Sequence, residues 1–162
     1  SKNFHLIQKH KMNQFFTSCF TGNLKTFAQS YQLKKQIEIC DENGIINNFY
    51  EEDNKGWNAL MFCVYNNKKK RMNRNRYAML EVLLEDNYLK PGFAEFINKQ
   101  DKNGLSVLMM ASTETNKYGL MAVELLLKYG AKKELKDKNK WTALLVAGSN
   151  GNIEIVKLLN AQ

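Results

Sequence analysis

The residues able to do chemistry are few and poorly spaced for it. His5 and His10 lie five apart, which does not put them on one face of a helix at the i, i+4 spacing of a metal pair. Cys19, Cys40 and Cys63 are odd in number and contain no C-x-x-C pair, so neither a zinc site nor a disulfide framework is expected. Free buried thiols in a reducing compartment are the plain reading. Cys19 has no neighbouring basic group to make it a nucleophile. There is no Gly-rich phosphate loop ending in Gly-Lys-Ser/Thr, no H-E-x-x-H and no G-x-S-x-G. No catalysis and no cofactor are expected.

Charge is the one strong chemical signal. The 162 residues carry a net charge of +8, and six of the nine residues from 68 to 76 are basic: Lys68, Lys69, Lys70, Arg71, Arg74 and Arg76. Only these three of the 24 cations are arginine, the residue better suited to bidentate phosphate recognition. The run reads in three ways: a solvated loop, a dock for an acidic protein surface, or a contact to RNA, DNA or an anionic membrane. No aromatic residue interleaves it before Tyr77, which argues against base stacking.

The elements that would position these residues follow from hydrophobic spacing. Met12, Phe15, Phe16, Cys19 and Phe20 mark one face of a helix, Thr21-Gly22-Asn23 breaks it, and Leu24, Phe27, Ala28 and Tyr31 continue as a second short helix. Residues 34–56 look looser, with Gly44–Asn47 as a short extended piece. Thereafter one unit recurs. Asp53-Asn54-Lys55-Gly56-Trp57-Asn58-Ala59-Leu60, Asp101-Lys102-Asn103-Gly104-Leu105-Ser106-Val107-Leu108 and Asp137-Lys138-Asn139-Lys140-Trp141-Thr142-Ala143-Leu144 each join an Asp-led turn to a capped helix start. Leucine-rich second helices follow around 77–84, 120–129 and 153–160, and Gly130-Ala131 ends the middle one.

Leu108 to Leu144 spans 36 residues, and Leu60 to Leu108 spans 48. With a longer turn at 113–118, the 68–76 run and a loop at Pro91 counted as insertions, these motifs resemble the ankyrin repeat family, whose period is about 33 residues. Ser106-Val107-Leu108-Met109, Thr142-Ala143-Leu144-Leu145 and Asn58-Ala59-Leu60-Met61 stand where that family has Thr-Pro-Leu-His, although all three lack the proline and histidine. Lys140 replaces the turn glycine of the last unit.

The resemblance implies an all-α ankyrin-repeat solenoid of about four helix-turn-helix units with short β-turn fingers, forming one domain with units at about 12–52, 53–100, 101–136 and 137–162. It implies a non-catalytic protein–protein interaction module or a subunit of a larger assembly, binding through the concave face and turn tips. Trp57, Leu105 and Trp141 then form one row before the helix starts, joined by Tyr65 as an anchor, with Lys55, Lys102 and Lys138 steering an acidic partner. The alternative for the two tryptophans is that they cover the turns of neighbouring units. The alternative function is polyanion or nucleic-acid binding through 68–76.

No apolar run is long enough to span a membrane and no signal peptide is visible, so an intracellular, cytoplasmic setting is expected. The chain does not begin with Met, and both a small protein and a piece of a larger one fit. Ile155, Leu158 and Leu159 are expected to form an exposed edge on the last unit, since solenoid ends require covering.

Overall fold

A computed structural model describes residues 14–38, 52–67 and 69–161. Met12, His5, His10, Cys40, Lys68 and the Gly44–Asn47 piece lie outside the described residues. The chain forms α1 (14–21), α2 (Leu24–Glu38), α3 (Ala59–Val64), α4 (Arg74–Glu85), α5 (Phe93–Ile97), α6 (Val107–Ala111), α7 (Lys117–Lys128), α8 (Ala143–Ser149) and α9 (Ile153–Asn160). No strand occurs among the described residues, only isolated bridges at Asn67–Lys70 and Gln100–Ser106.

The helices stack in two layers. The short helices α3, α6 and α8 pack side by side as an inner layer, and α4, α7 and α9 pack behind them as an outer layer. The pairs α3/α4, α6/α7 and α8/α9 are antiparallel hairpins, each too small to bury its apolar faces alone. Stacking buries them: Leu60, Leu80, Leu83, Leu108, Val123, Leu126 and Ala147 lie in one continuous core. At the N-terminal side, the Phe16 ring stacks 4.7 Å from Phe62, and Tyr31 donates to Asp86 at the end of α4, so α1 and α2 close that face.

Capping residues account for where the inner helices begin. Asn58, Ser106 and Thr142 each accept a hydrogen bond from the backbone N–H three residues on. Asn73 and Asn116 do the same for α4 and α7. These caps start α4 at Arg74 and α7 at Lys117, earlier than the expected Tyr77 and Leu120. The last turn of the basic run is therefore helix.

Other expectations also need correction. The second helix is 15 residues long, extending into the stretch expected to be loose. Phe27 and Tyr31 face the core, while Leu24 and Ala28 are exposed, because the buried face is a single i, i+4 stripe. Residues 93–97 form an extra helical turn that buries Phe93, Phe96 and Ile97. On the last pair, Ile155 and Leu159 are buried against α7 and α8 and Leu158 is half-buried, so they are not the exposed edge. The exposed apolar residues there are Trp141, Leu145 and Ile153.

Each Asp-led turn is a finger closed by its own backbone. Asp53, Asp101 and Asp137 donate their N–H to the carbonyl four residues on and accept the N–H three residues on. The fourth position needs a left-handed backbone, which Gly56 (φ 81°), Gly104 (φ 80°) and Lys140 (φ 66°) supply. Only lysine carries a Cβ penalty there. Lys140→Gly is expected to stabilise the fold by about 0.5–1 kcal/mol, the left-handed strain less the entropy of glycine. Urea unfolding checks this, and a loss of stability would count against it.

Candidate protein-interaction surface

The fingers are built from carboxylates rather than from sheet pairing. In each, the Asp Oδ1 accepts two backbone N–H groups, two and four residues on: Lys55 and Trp57, Asn103 and Leu105, Asn139 and Trp141, all at 2.8–2.9 Å. The fingers then bond to one another. Lys102 N–H donates to the Lys55 carbonyl at 3.0 Å, and Lys138 N–H to the Asn103 carbonyl at 3.1 Å. Gln100 Nε2 reaches both Gly104 O and Lys136 O. The spacing is close enough that a Cβ on Gly104 would sit 2.9 Å from the backbone of the next finger.

This stacking decides the tryptophan alternatives at one position. Trp57 is half-buried, and its indole Nε1 donates to Asp101 Oδ2 of the next finger at 2.9 Å. Trp57 therefore covers and couples the neighbouring turn. Leu105 is half-buried, and Trp141 is 42% exposed. Lys55, Lys102 and Lys138 are all exposed at the finger tips.

Asp101 and Asp137 thus differ by one bond between fingers. Asp101→Asn, with its amide nitrogen turned toward the Trp57 indole N–H, is expected to cost about 1–2 kcal/mol more than Asp137→Asn. Paired urea curves with tryptophan emission as the probe test this, and equal costs would remove the coupling role.

Beside the fingers lies an aromatic cluster. Tyr65 packs 4.6 Å from the Trp57 ring and 6.0 Å from Phe20, and Phe62 meets Trp57 edge-on at 5.3 Å. Lys55 and Lys70 sit over Trp57 and Phe20 at 5.6 and 5.1 Å. Trp57, Tyr65 and Phe20 are all half-buried, so ring surface stays accessible under a lysine rim. The contribution of Phe20 was not legible, because its spacing only places it on one apolar face of α1 with Phe15 and Phe16 and carries no sign of Tyr65.

The basic run does not present its cations as one group. Asn67 Oδ1 caps the turn by accepting the N–H of Lys69 and Lys70. Arg71 donates through Nε and Nη2 to Glu114 and through Nη2 to Thr115. Arg76 is 1% exposed, and its guanidinium donates to the carbonyls of Phe62, Tyr65 and Lys70. Burial lowers the Arg76 pKa, opposed by the nearby Cys63, Glu114 and Cys19. Arg76 thus satisfies the carbonyls at the end of α3 and in the turn that follows, inside the protein, and is not offered to a ligand. Lys69, Lys70, Arg71 and Arg74 are exposed in the described part of the run, but Arg71 is already paired with Glu114, which leaves Lys69, Lys70 and Arg74 as its exposed cations outside that pair.

The fingers' positive rim contrasts with the outer layer. There the Tyr77 hydroxyl is held above the usual phenol range by burial and then by Glu81, Glu124 and Glu85. Among the described residues there is no group of three or more His, Cys, Asp or Glu side chains placed to hold a metal, and no helix long and apolar enough to cross a membrane. Cys19 and Cys63 are both buried.

Comparison with known proteins agrees with this architecture. A family model for ankyrin repeats, in three copies, matches residues 72–162. No curated protein matches the chain. The crystal structure of EF0377, an ankyrin repeat protein, matches with a TM-score of 0.63 and 23% sequence identity, over 90% of this chain and 61% of that chain. At that identity the likeness is one of fold, and the chain spans about three fifths of that protein's length.

Proposed function

Because the chain belongs to the ankyrin repeat family, we propose that it is a non-catalytic protein-interaction module whose partner seats on the finger tips and the adjacent inner helices. The observation that carries this reading is the Phe20–Tyr65–Trp57 cluster, part-exposed beside the fingers and rimmed by Lys55 and Lys70. Aromatic anchors surrounded by a polar rim are the surface chemistry that concentrates binding energy. The exposed Lys55, Lys102 and Lys138 favour a partner with an acidic surface and raise its rate of encounter. Tyr65 is the anchor of choice. Trp57 has already committed its indole N–H to Asp101, while Leu105 and Trp141 extend the row along the fingers.

The test isolates partners by crosslinking from the native source, then measures their affinity for two variants. Tyr65→Ala is expected to weaken binding by about 2 kcal/mol, roughly 30-fold. The triple change Lys55→Glu, Lys102→Glu, Lys138→Glu is expected mainly to slow association and remove its salt dependence. Partners bound with unchanged affinity by both variants would overturn the proposal. Binding that instead followed Lys69, Lys70 and Arg74, and was lost on nuclease treatment, would replace it with a polyanion function.

A further inference from the structure

The outer layer carries the opposite chemistry to the lysine-rimmed fingers. Tyr77, Glu81, Glu85 and Tyr88 recur every three or four residues along α4 and the turn after it, which the Tyr88 N–H closes on the Leu84 carbonyl at 3.0 Å. Alongside, α7 brings Tyr118, Glu124 and Tyr129. Rings meet across the two helices at both ends, Tyr77 with Tyr118 at 6.5 Å and Tyr88 with Tyr129 at 5.6 Å. The carboxylates lie between. The Tyr77 hydroxyl is raised by burial and then by Glu81, Glu124 and Glu85, and that of Tyr129 by burial and then by Glu85, Tyr88 and Glu81. Each ring thus feels carboxylates of the other helix.

These glutamates stand uncompensated in a chain of net charge +8. Glu52, Glu114 and Glu154 pair with Lys99, Arg71 and Lys157. Glu81, Glu85 and Glu124 pair with no cation among the described residues, although Glu85 and Glu124 are exposed and Glu81 is half-buried. The nearby lysines turn to rings instead: Lys117 lies over Tyr118 at 5.1 Å and Lys128 over Tyr129 at 5.6 Å. Along the same side of α4, Val82 is 38% exposed, and Leu89 beyond its end is 81% exposed.

From these we infer that the outer face of α4 and α7 docks a basic amphipathic helix of a partner protein. Charge complementarity selects that occupant. Nucleic acid and anionic membrane are repelled by three free carboxylates. One metal ion does not fit, because no three acidic, His or Cys side chains converge among the described residues. Glu81 and Glu85 stand one helical turn apart, about 6 Å, and so match cations one turn apart on another helix. Arginine suits best, since its guanidinium pairs with a carboxylate and stacks on tyrosine. Val82 and Leu89 take the apolar residues of the docked helix. None of these residues belongs to the finger surface, so the two readings stand independently.

The probe is an alanine-based helical peptide with arginines one turn apart and leucines toward one end, set against a counterpart with glutamate in place of each arginine. Calorimetric titration of the full chain is expected to show binding of the basic peptide alone, weakening as salt rises. Glu81→Gln, Glu85→Gln and Glu124→Gln together should weaken it about 10-fold or more. Lysine at the same three positions should transfer the preference to the acidic peptide. Amide shifts on adding the basic peptide to the parent should fall on α4 and α7 and spare the fingers. Tyr65→Ala should leave the affinity unchanged, which separates this surface from the finger surface. No binding of the basic peptide by the parent, equal affinity for both peptides, or shifts confined to other helices would overturn the inference.

Discussion

Glu114→Ala is expected to destabilise the protein by about 3 kcal/mol, a fall of roughly 10 °C in melting temperature. Glu114 is a fully buried carboxylate in the connection between α6 and α7. Its Oε2 accepts the Met72 N–H at 2.9 Å, and its Oε1 accepts from Arg71 and from the Asn116 N–H. Removing the carboxylate strands the buried Met72 N–H and opens a void. Arg71 itself is about half exposed and returns to water, so its share of the loss is small. The damage should spread in both directions along the stack, because Asn116 Nδ2 bonds the Met72 carbonyl and Asn152 Nδ2 bonds the carbonyls of Ser112 and Glu114. Glu114→Gln keeps the shape but turns one donor toward another donor, and should cost about half as much. Calorimetry on both variants decides this. A Glu114→Ala protein melting within about 2 °C of the parent would show that solvent replaces the carboxylate without loss.

Arg76→Ala should be at least as damaging, at about 3–5 kcal/mol. The guanidinium gathers the carbonyls of Phe62 and Tyr65 at the C-terminal end of α3, together with the Lys70 carbonyl from the turn that follows. A cation suits that end of a helix, where unpaired carbonyls concentrate negative charge. Its Cγ would stand 3.2 Å from a Cβ on Gly22, so the same side chain also packs beneath the α1–α2 turn. Alanine removes the donors, the charge and the packing together. Lysine keeps the charge but offers a compact ammonium that does not span three carbonyls, so Arg76→Lys should recover only part of the loss. Hydrogen exchange gives the sharper readout. Amides of α3 and of residues 65–67, 69 and 70 should lose protection before those of α8 and α9. Uniform loss of protection along the whole stack would reject this local role.

The recurring Asp-led fingers and the capped starts of α3, α6 and α8 were legible in the residues alone, because both are made within about five positions of chain. Asp101 accepts from residues 103 and 105, and Ser106 accepts from 109; such bonds are written into residue type and spacing whatever surrounds them. The family followed from the same local order. Of the candidate surface, the place of the tip lysines in the turns was legible and they are exposed, while the packing of Tyr65 against Trp57 appears only in the folded chain. In the 68–76 run, the burial of Arg76 and the pairing of Arg71 were not legible, because charge density says nothing about where a long side chain can reach. The partner of Arg71 lies 43 positions away, and Arg76 finds its carbonyls only after α3 and α4 have folded against each other.

Stacking likewise decided the fate of equivalent residues. Trp57 acquired Asp101 from 44 positions away, while Trp141, in the same local sequence, acquired nothing among the described residues. Met61, Met109 and Leu145 share one repeat position, yet only the first two are buried. A unit's own residues determine its shape, since its bonds are short-range. Whether each face is covered depends on the neighbour, and no local pattern encodes that.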